Sequence, residues 1–180
     1  MVRFIATLLG SIKYVQVWSP DLEERLRLRY RSQIEQLNAQ GFHREFSLGE
    51  TFFLPSIVFV FPAIMLILML LKREVLAMQP GMRIALCYPV FLSADRSTFA
   101  FPFGLGVKFY TAFQDGGLLV SETFEGCPAD QSAVVVNQKS GSIAQTWSDH
   151  QNQMHALEQE GKVVDRQSSF EFFTQILPRG

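Results

Sequence analysis

The chain has 180 residues, a formal net charge of −1 and 18% charged residues. That length leaves room for one modest folded unit plus an anchor, not for two large domains. A near-neutral balance with no long basic or acidic block carries no polyanion signature, so nucleic acid is not an expected partner. Cys87 and Cys127 lie far apart without a second pair, which supports neither a zinc framework nor a dense disulfide scaffold. Two buried thiols are the expectation, with one bridge left geometrically open.

Residues 1–12 open with one basic side chain and a short apolar run over 4–12, which Lys13 ends. No small-x-small cleavage pattern follows, so an interfacial or packed helix is expected here in place of a cleaved signal. Residues 14–18 alternate weakly and read as a strand or an extended lead-in. Ser19 then suits an N-cap, Pro20 the first helical position, and Asp21, Glu23 and Glu24 the positive end of the helix dipole. Leu22, Leu26, Tyr30, Ile34 and Leu37 fall on one side of a helix over 21–38, and Gly41 suits its exit. Arg25, Arg27, Arg29 and Arg31 spread over about 200° of that helix at 100° per residue. They read as a solvated face partly balanced by Glu23, Glu24 and Glu35, against the alternative of a basic surface resting on anionic lipid. Residues 41–46 suit a short strand, and 47–50 a polar turn at the membrane surface.

Residues 52–71 contain no charge and a single hydroxyl, Ser56. A helix of that length rises about 30 Å, the thickness of a bilayer's hydrocarbon core. The run is apolar on every side, whereas a helix in a soluble core keeps a polar stripe. Insertion would gain on the order of 5 kcal/mol before its prolines are counted. Pro55 lies in the first turn, where its missing N–H costs little, and Pro62 predicts a kink. Lys72, Arg73 and Glu74 end the span, and 75–78 are expected to continue the helix until Gln79, Pro80 and Gly81 stop it.

Residues 83–92 are apolar and rich in β-formers around Pro89, which predicts a bulged or edge strand. Residues 93–97 form a turn cluster. Phe99, Phe101 and Phe103 share one side of an extended segment, as the inner face of a sheet or as an aromatic contact with the bilayer; the core reading is favoured. The clearest β signal is 107–124. Closing a two-residue turn at Asp115 and Gly116 sets Phe113 across from Leu118, Thr111 across from Val120, and Val107 across from Phe124, although Glu122 opposite Phe109 fits that register poorly. A loop with a short strand at 133–136 leads to a helix over 143–160 that begins after Gly141 and Ser142 and stops at Gly161. Ser168 and Ser169 are placed to cap a last helix over 170–177, ended by Pro178.

Candidates for chemistry are weak. His150 and His155, five apart on a helix, sit about 140° apart around the axis and do not chelate one metal as an i, i+4 pair does. His43 is isolated. Cys127, His150 and Asp149 have the residue types of nucleophile, base and orienter, but adjacent helical residues diverge; an inert thiol and two solvent-facing polar residues are the expected arrangement. Gly104 and Gly106 lack the third glycine of a dinucleotide loop, and Gly141 with Ser142 lacks the setting of a hydrolase elbow. No catalytic, cofactor or metal site is therefore assigned.

These readings combine into an α+β protein with a single transmembrane helix. Residues 1–50 form an N-terminal segment with an amphipathic helix and 51–78 the transmembrane helix. Residues 82–180 form a small domain with a mostly antiparallel sheet and one or two helices. Within about fifteen residues of the span, Lys72, Arg73 and Arg83 outnumber Arg44, which places the C-terminal domain in the cytoplasm; the seven Lys and Arg residues preceding the span pull the other way. A third arrangement has the apolar run turn back so that both ends share one domain. The expected role is membrane-anchored binding or scaffolding, on the lipid bilayer and with another membrane protein or itself. The alternatives are a small membrane-bound enzyme and a lipid-interacting module built on Phe99, Phe101 and Phe103.

Overall fold

The computed structural model describes residues 13–53, 75–79, 83–123, 135–138 and 141–177. Ser19 starts the first helix as its sequence suggests: the Leu22 N–H donates to Ser19 Oγ at 3.1 Å, and α1 runs Pro20–Arg29. The one helix expected over 21–38 is two. Tyr30, at φ −109° and ψ 22°, leaves helical geometry, and α2 resumes over Arg31–Ala39. Gly41 at φ +84° ends α2, with its own N–H on the Asn38 carbonyl and the Phe42 N–H on Leu37, a closure that a left-handed glycine permits. Further along, α3 spans Ile143–Gln159 and α4 Phe170–Ile176, capped by Ser142 and Ser169, which accept from the N–H groups of Gln145 and Phe172.

The strands are β1 (Lys13–Gln16), β2 (His43–Phe53), β3 (Val75–Gln79), β4 (Arg83–Leu92), β5 (Phe99–Phe103), β6 (Gly106–Ala112), β7 (Leu118–Glu122) and β8 (Val135–Gln138). Helices and an antiparallel sheet make the protein α+β. Two expectations around the apolar run fail. The polar turn expected at 47–50 lies inside β2, whose Leu48–Thr51 stretch pairs with β1 from Gln16 back to Lys13. Residues 75–78, expected to prolong a transmembrane helix, are β3, paired with β4 from Val75↔Cys87 to Gln79↔Arg83. Cross-strand pairing overrides a local helical reading over so few residues. The helix expected over 51–78 thus begins and ends in strands. Its central part, 54–74, lies outside the described residues, as do the N-terminal run over 1–12 and Cys127. Among the described residues no helix is long and apolar enough to cross a membrane.

The chain divides into two compact units. One comprises Met1–Arg29, Ser47–Tyr88 and Arg179–Gly180; the other comprises Tyr30–Phe46 and Pro89–Pro178. In the first, β1 pairs with β2, β3 pairs with β4, and α1, with Leu22 and Leu26 buried, lies against β3.

In the second unit the end of β4, from Pro89 on, is followed across the sheet by β5, β6, β7 and β8 in that order. The pairs from β4 to β7 are antiparallel, and β8 joins β7 in parallel. Every residue of β6 is buried, because helices cover both sheet faces. On one face, Phe109 and Thr111 meet α3, where Trp147 packs on Phe109 at 5.4 Å between ring centroids. Leu37 of α2, Phe42, Phe91 and Ile143 complete this cluster, with Phe42 edge-on to Trp147 at 4.8 Å, an arrangement the ring quadrupoles favour. On the other face Phe173 of α4 is wholly buried among Phe46, Phe99, Phe101 and Tyr110. Phe99 and Phe101 are therefore core, as favoured from their alternation, while Phe103 at the strand end is half-buried.

The β6–β7 hairpin is shifted by one residue from the expected register. Lys108 pairs with Glu122, Phe109 with Ser121 and Thr111 with Leu119. The turn is a three-residue loop, not two: Phe113 N–H donates to Gly117 O at 2.8 Å, Gly116 N–H to Phe113 O, and Gly116 adopts φ +84°. A short turn that ends in a left-handed glycine is a standard three-residue hairpin closure. Asp115 Oδ1 accepts the Gly117 N–H at 2.9 Å and braces it. The shift also relieves the misfit of Glu122, which now stands across from a lysine.

Candidate functional site

Two polar constellations lie in the second unit, one on each side of β6. They follow from strand alternation: in a sheet covered on both faces, polar residues of either parity are carried inward and must find partners there.

The first centres on His150. Helix α3 points its imidazole at the sheet, where it is fully enclosed, with Trp147 stacked at 5.7 Å and Phe109 at 5.8 Å. Nε2 lies 2.9 Å from Thr111 Oγ1 on β6, and Nδ1 lies 2.8 Å from Ser121 Oγ on β7. The chain of hydroxyls continues outward. Thr111 Oγ1 is 2.6 Å from Thr98 Oγ1, which is 3.2 Å from Ser97 Oγ, and Ser97 Oγ donates to Asp95 Oδ1 at 2.8 Å. Asp95 sits on the exposed turn between β4 and β5, where hydrogen bonds from Ser93 and Ser97 and the charge of Arg166 hold its carboxyl below the ordinary range against partial desolvation. Burial pushes the His150 imidazole down from 6.5 to about 3, so it is neutral at physiological pH.

Ser121, His150 and an aspartate are the residue types of a nucleophilic triad, and 2.8 Å is a working nucleophile-to-base distance. The geometry does not make one. Ser121 and His150 have no exposed surface, and the second imidazole nitrogen meets a threonine where a triad needs an orienting carboxylate. What the arrangement does is fasten α3 to β6 and β7 through directional bonds inside an aromatic core. His150 was expected at the solvent-facing side of its helix; it is instead one of the most buried side chains. Its neighbour Asp149 does diverge from it, accepting from Gln145 Nε2 at 3.2 Å.

The second constellation is the ion pair of Lys108 Nζ with Glu122 Oε1, both side chains more than nine-tenths buried. Lys108 Nζ also sits 5.5 Å from the centroid of the Phe103 ring, a cation–π contact that desolvation strengthens. Beside the pair, at the end of the β5–β6 hairpin, is a cavity of about 240 Å³ with an almost wholly apolar lining that includes Phe103, Leu105 and Val107. Leu105, at the two-residue turn between Phe103 and Gly106, is 65% exposed. Gly104 thus lies in a hairpin turn that Gly106 closes, and Ser142 is a helix cap.

The remaining sequence candidates do not come together. His155 pairs with Glu158 at 3.1 Å on the exposed side of α3, and His43 lies 3.7 Å from Glu45. Cys87 is buried. Among the described residues no group of three or more His, Cys, Asp or Glu side chains is placed to hold a metal ion. On the N-terminal helices, Arg25 pairs with Asp21, Arg27 with Glu24 through two bonds, and Arg31 with Glu35. Lys108, Thr98 and Ser121 were not singled out from the sequence, and Glu122 and Thr111 entered it only through the hairpin register. The available signal was the pair of charges inside β-forming runs, which face each other once a three-residue loop is assumed. Comparison of the chain with protein-family models, with curated proteins and with solved structures finds no match.

Proposed function

We propose that this chain is a membrane-associated binding protein, held on a bilayer by the uncharged run over 52–71 and presenting its second unit to another membrane protein or to a second copy. The observation that carries the reading is that run, twenty residues without a charge, whose preferred surroundings are acyl chains. Leu37 and Phe42, before the run, share one hydrophobic cluster with Phe91, Phe109, Ile143 and Trp147, after it. That shared cluster supports a one-sided arrangement, with both flanks of the run on the same side of the bilayer, and twenty residues are too few for two full crossings. This arrangement also removes the charge conflict, because the basic residues before and after the run then add on one side, the cytoplasmic one by the positive-inside rule.

The lipid-interacting alternative built on the phenylalanine row loses its footing, since Phe99 and Phe101 are core. The test uses the full chain in sealed vesicles, with Ser32→Cys and Asn152→Cys at two exposed positions flanking the run. Equal labelling of both from one side, together with retention in the membrane after alkaline extraction, is the expected result. Labelling from opposite sides overturns the one-sided arrangement, and a chain freely soluble without amphiphile overturns the membrane association itself.

A further inference from the structure

The hydrogen-bond chain on the α3 side of the sheet has a direction, and its direction is set at the surface. Each serine or threonine hydroxyl has one proton to give, whereas an ionised carboxylate only accepts. Ser97 Oγ spends its proton on Asp95 Oδ1 at 2.8 Å, so across the 3.2 Å contact with Thr98 it is the acceptor and Thr98 the donor. Thr98, its proton committed, then accepts from Thr111 across 2.6 Å. Thr111 in turn has nothing left for the imidazole and accepts from it, which requires the proton on Nε2. A neutral imidazole protonated at Nε2 has a lone pair at Nδ1, and Ser121 Oγ donates to it at 2.8 Å.

We infer that Asp95, on the exposed β4–β5 turn, acts as a positioning residue for the buried His150, fixing its Nε2–H tautomer through the hydroxyls of Ser97, Thr98 and Thr111. The chain is a surface-to-core relay. Its members from Ser97 inward are all buried, so no water competes for the intervening bonds. The opposite polarity, with Thr98 giving to Thr111, Thr111 giving to Nε2 and the imidazole proton on Nδ1 facing Ser121, makes as many bonds from Thr98 inward. It leaves the oxygens of Ser97 and Thr98 facing each other without a proton between them. The acceptor at Asp95 is what separates two otherwise similar arrangements. A ligand or modification that occupies the Asp95 carboxylate at the surface is thereby read out under α3 as a reversal of four hydroxyls, Ser121 included, and a tautomer change, with no movement of the backbone.

Nitrogen-15 NMR of the full chain, labelled at histidine, reads the tautomer directly: the bonded and lone-pair nitrogens of a neutral imidazole have well-separated resonances. The wild-type chain is expected to show His150 protonated at Nε2. Asp95→Ala releases the Ser97 proton toward Thr98 and is expected to move a measurable fraction of His150 to the Nδ1–H form. Ser97→Ala keeps Asp95 and its bond from Ser93 but cuts the relay, and is expected to shift His150 in the same direction even if loss of the carboxylate disturbs the turn. A wild-type imidazole protonated at Nδ1 overturns the inference. So does a tautomer that is unchanged in a folded Ser97→Ala chain.

Discussion

Acid should loosen this protein through one side chain. In the unfolded chain His150 takes up a proton near its ordinary 6.5, and in the folded protein burial defers that uptake to about 3. Between those values the unfolded state binds one more proton, so stability falls as pH falls; above 6.5 the whole contribution is present, and it is lost progressively on the way down to 3. At about 1.4 kcal/mol per pH unit, the window is worth on the order of 5 kcal/mol, a large part of the roughly 5–15 kcal/mol that stabilises a typical domain. Carboxylates also titrate in the lower half of this range, so the measurement is a difference. Urea unfolding of the wild-type chain and of His150→Gln is followed by the fluorescence of Trp147, which stacks on the imidazole at 5.7 Å and is buried. The series runs in steps of about one pH unit from about 7.5 to about 4.5. Glutamine keeps one donor and one acceptor but does not titrate. The variant is expected to be the less stable at neutral pH, since its shorter reach cannot meet both hydroxyls. The gap should then close by about 1.4 kcal/mol for each unit below about 6. A gap that stays constant with pH would show that His150 takes up no proton on unfolding and refute the reasoning.

Removing one member of the Lys108 and Glu122 pair strands the other in a buried site, so Glu122→Gln should cost about 3–5 kcal/mol; combining Lys108→Met with Glu122→Leu should recover most of it, and a double-mutant cycle by urea unfolding measures both. Phe99→Ala opens the aromatic cluster around Phe173, where the rings are 4.7 Å apart, and should lose about 3–5 kcal/mol. Leu105→Ser, at a 65% exposed turn, should stay within about 0.5 kcal/mol in the same assay. Gly116→Ala puts a side chain at φ +84° with open space around it, so the cost is backbone strain of about 1 kcal/mol, read as a lower unfolding midpoint with the denaturant slope unchanged.

Much of the local structure is legible in the amino-acid order. Ser19, Ser142 and Ser169 mark three helix starts because a cap needs only its own backbone two or three residues on. Pro89 does not interrupt the strand expected at 83–92, and β5, α3 and α4 lie where apolar spacing and stop signals put them. The alternation of Phe99 and Phe101 marks them as core on the same ground. These features depend on neighbours in the chain, and the chain states its neighbours.

The tertiary structure decided what depends on distant partners. Residues 75–79 carry no period long enough to choose helix or strand, and β4 supplies the hydrogen bonds that make them a strand. The β6–β7 register turned on one residue of loop length, which reversed the facing of every side chain across the hairpin and brought Lys108 to Glu122. His150 reads as a surface residue on a polar helix until Thr111 and Ser121, 39 and 29 positions away, are seen to meet both its nitrogens. Above all, the amphipathic face of α2 has no visible partner within the first fifty residues. Only the folded core shows that Leu37 closes against Phe91, Phe109 and Trp147 from beyond the apolar run, because burial is a property of the whole surface that a residue meets.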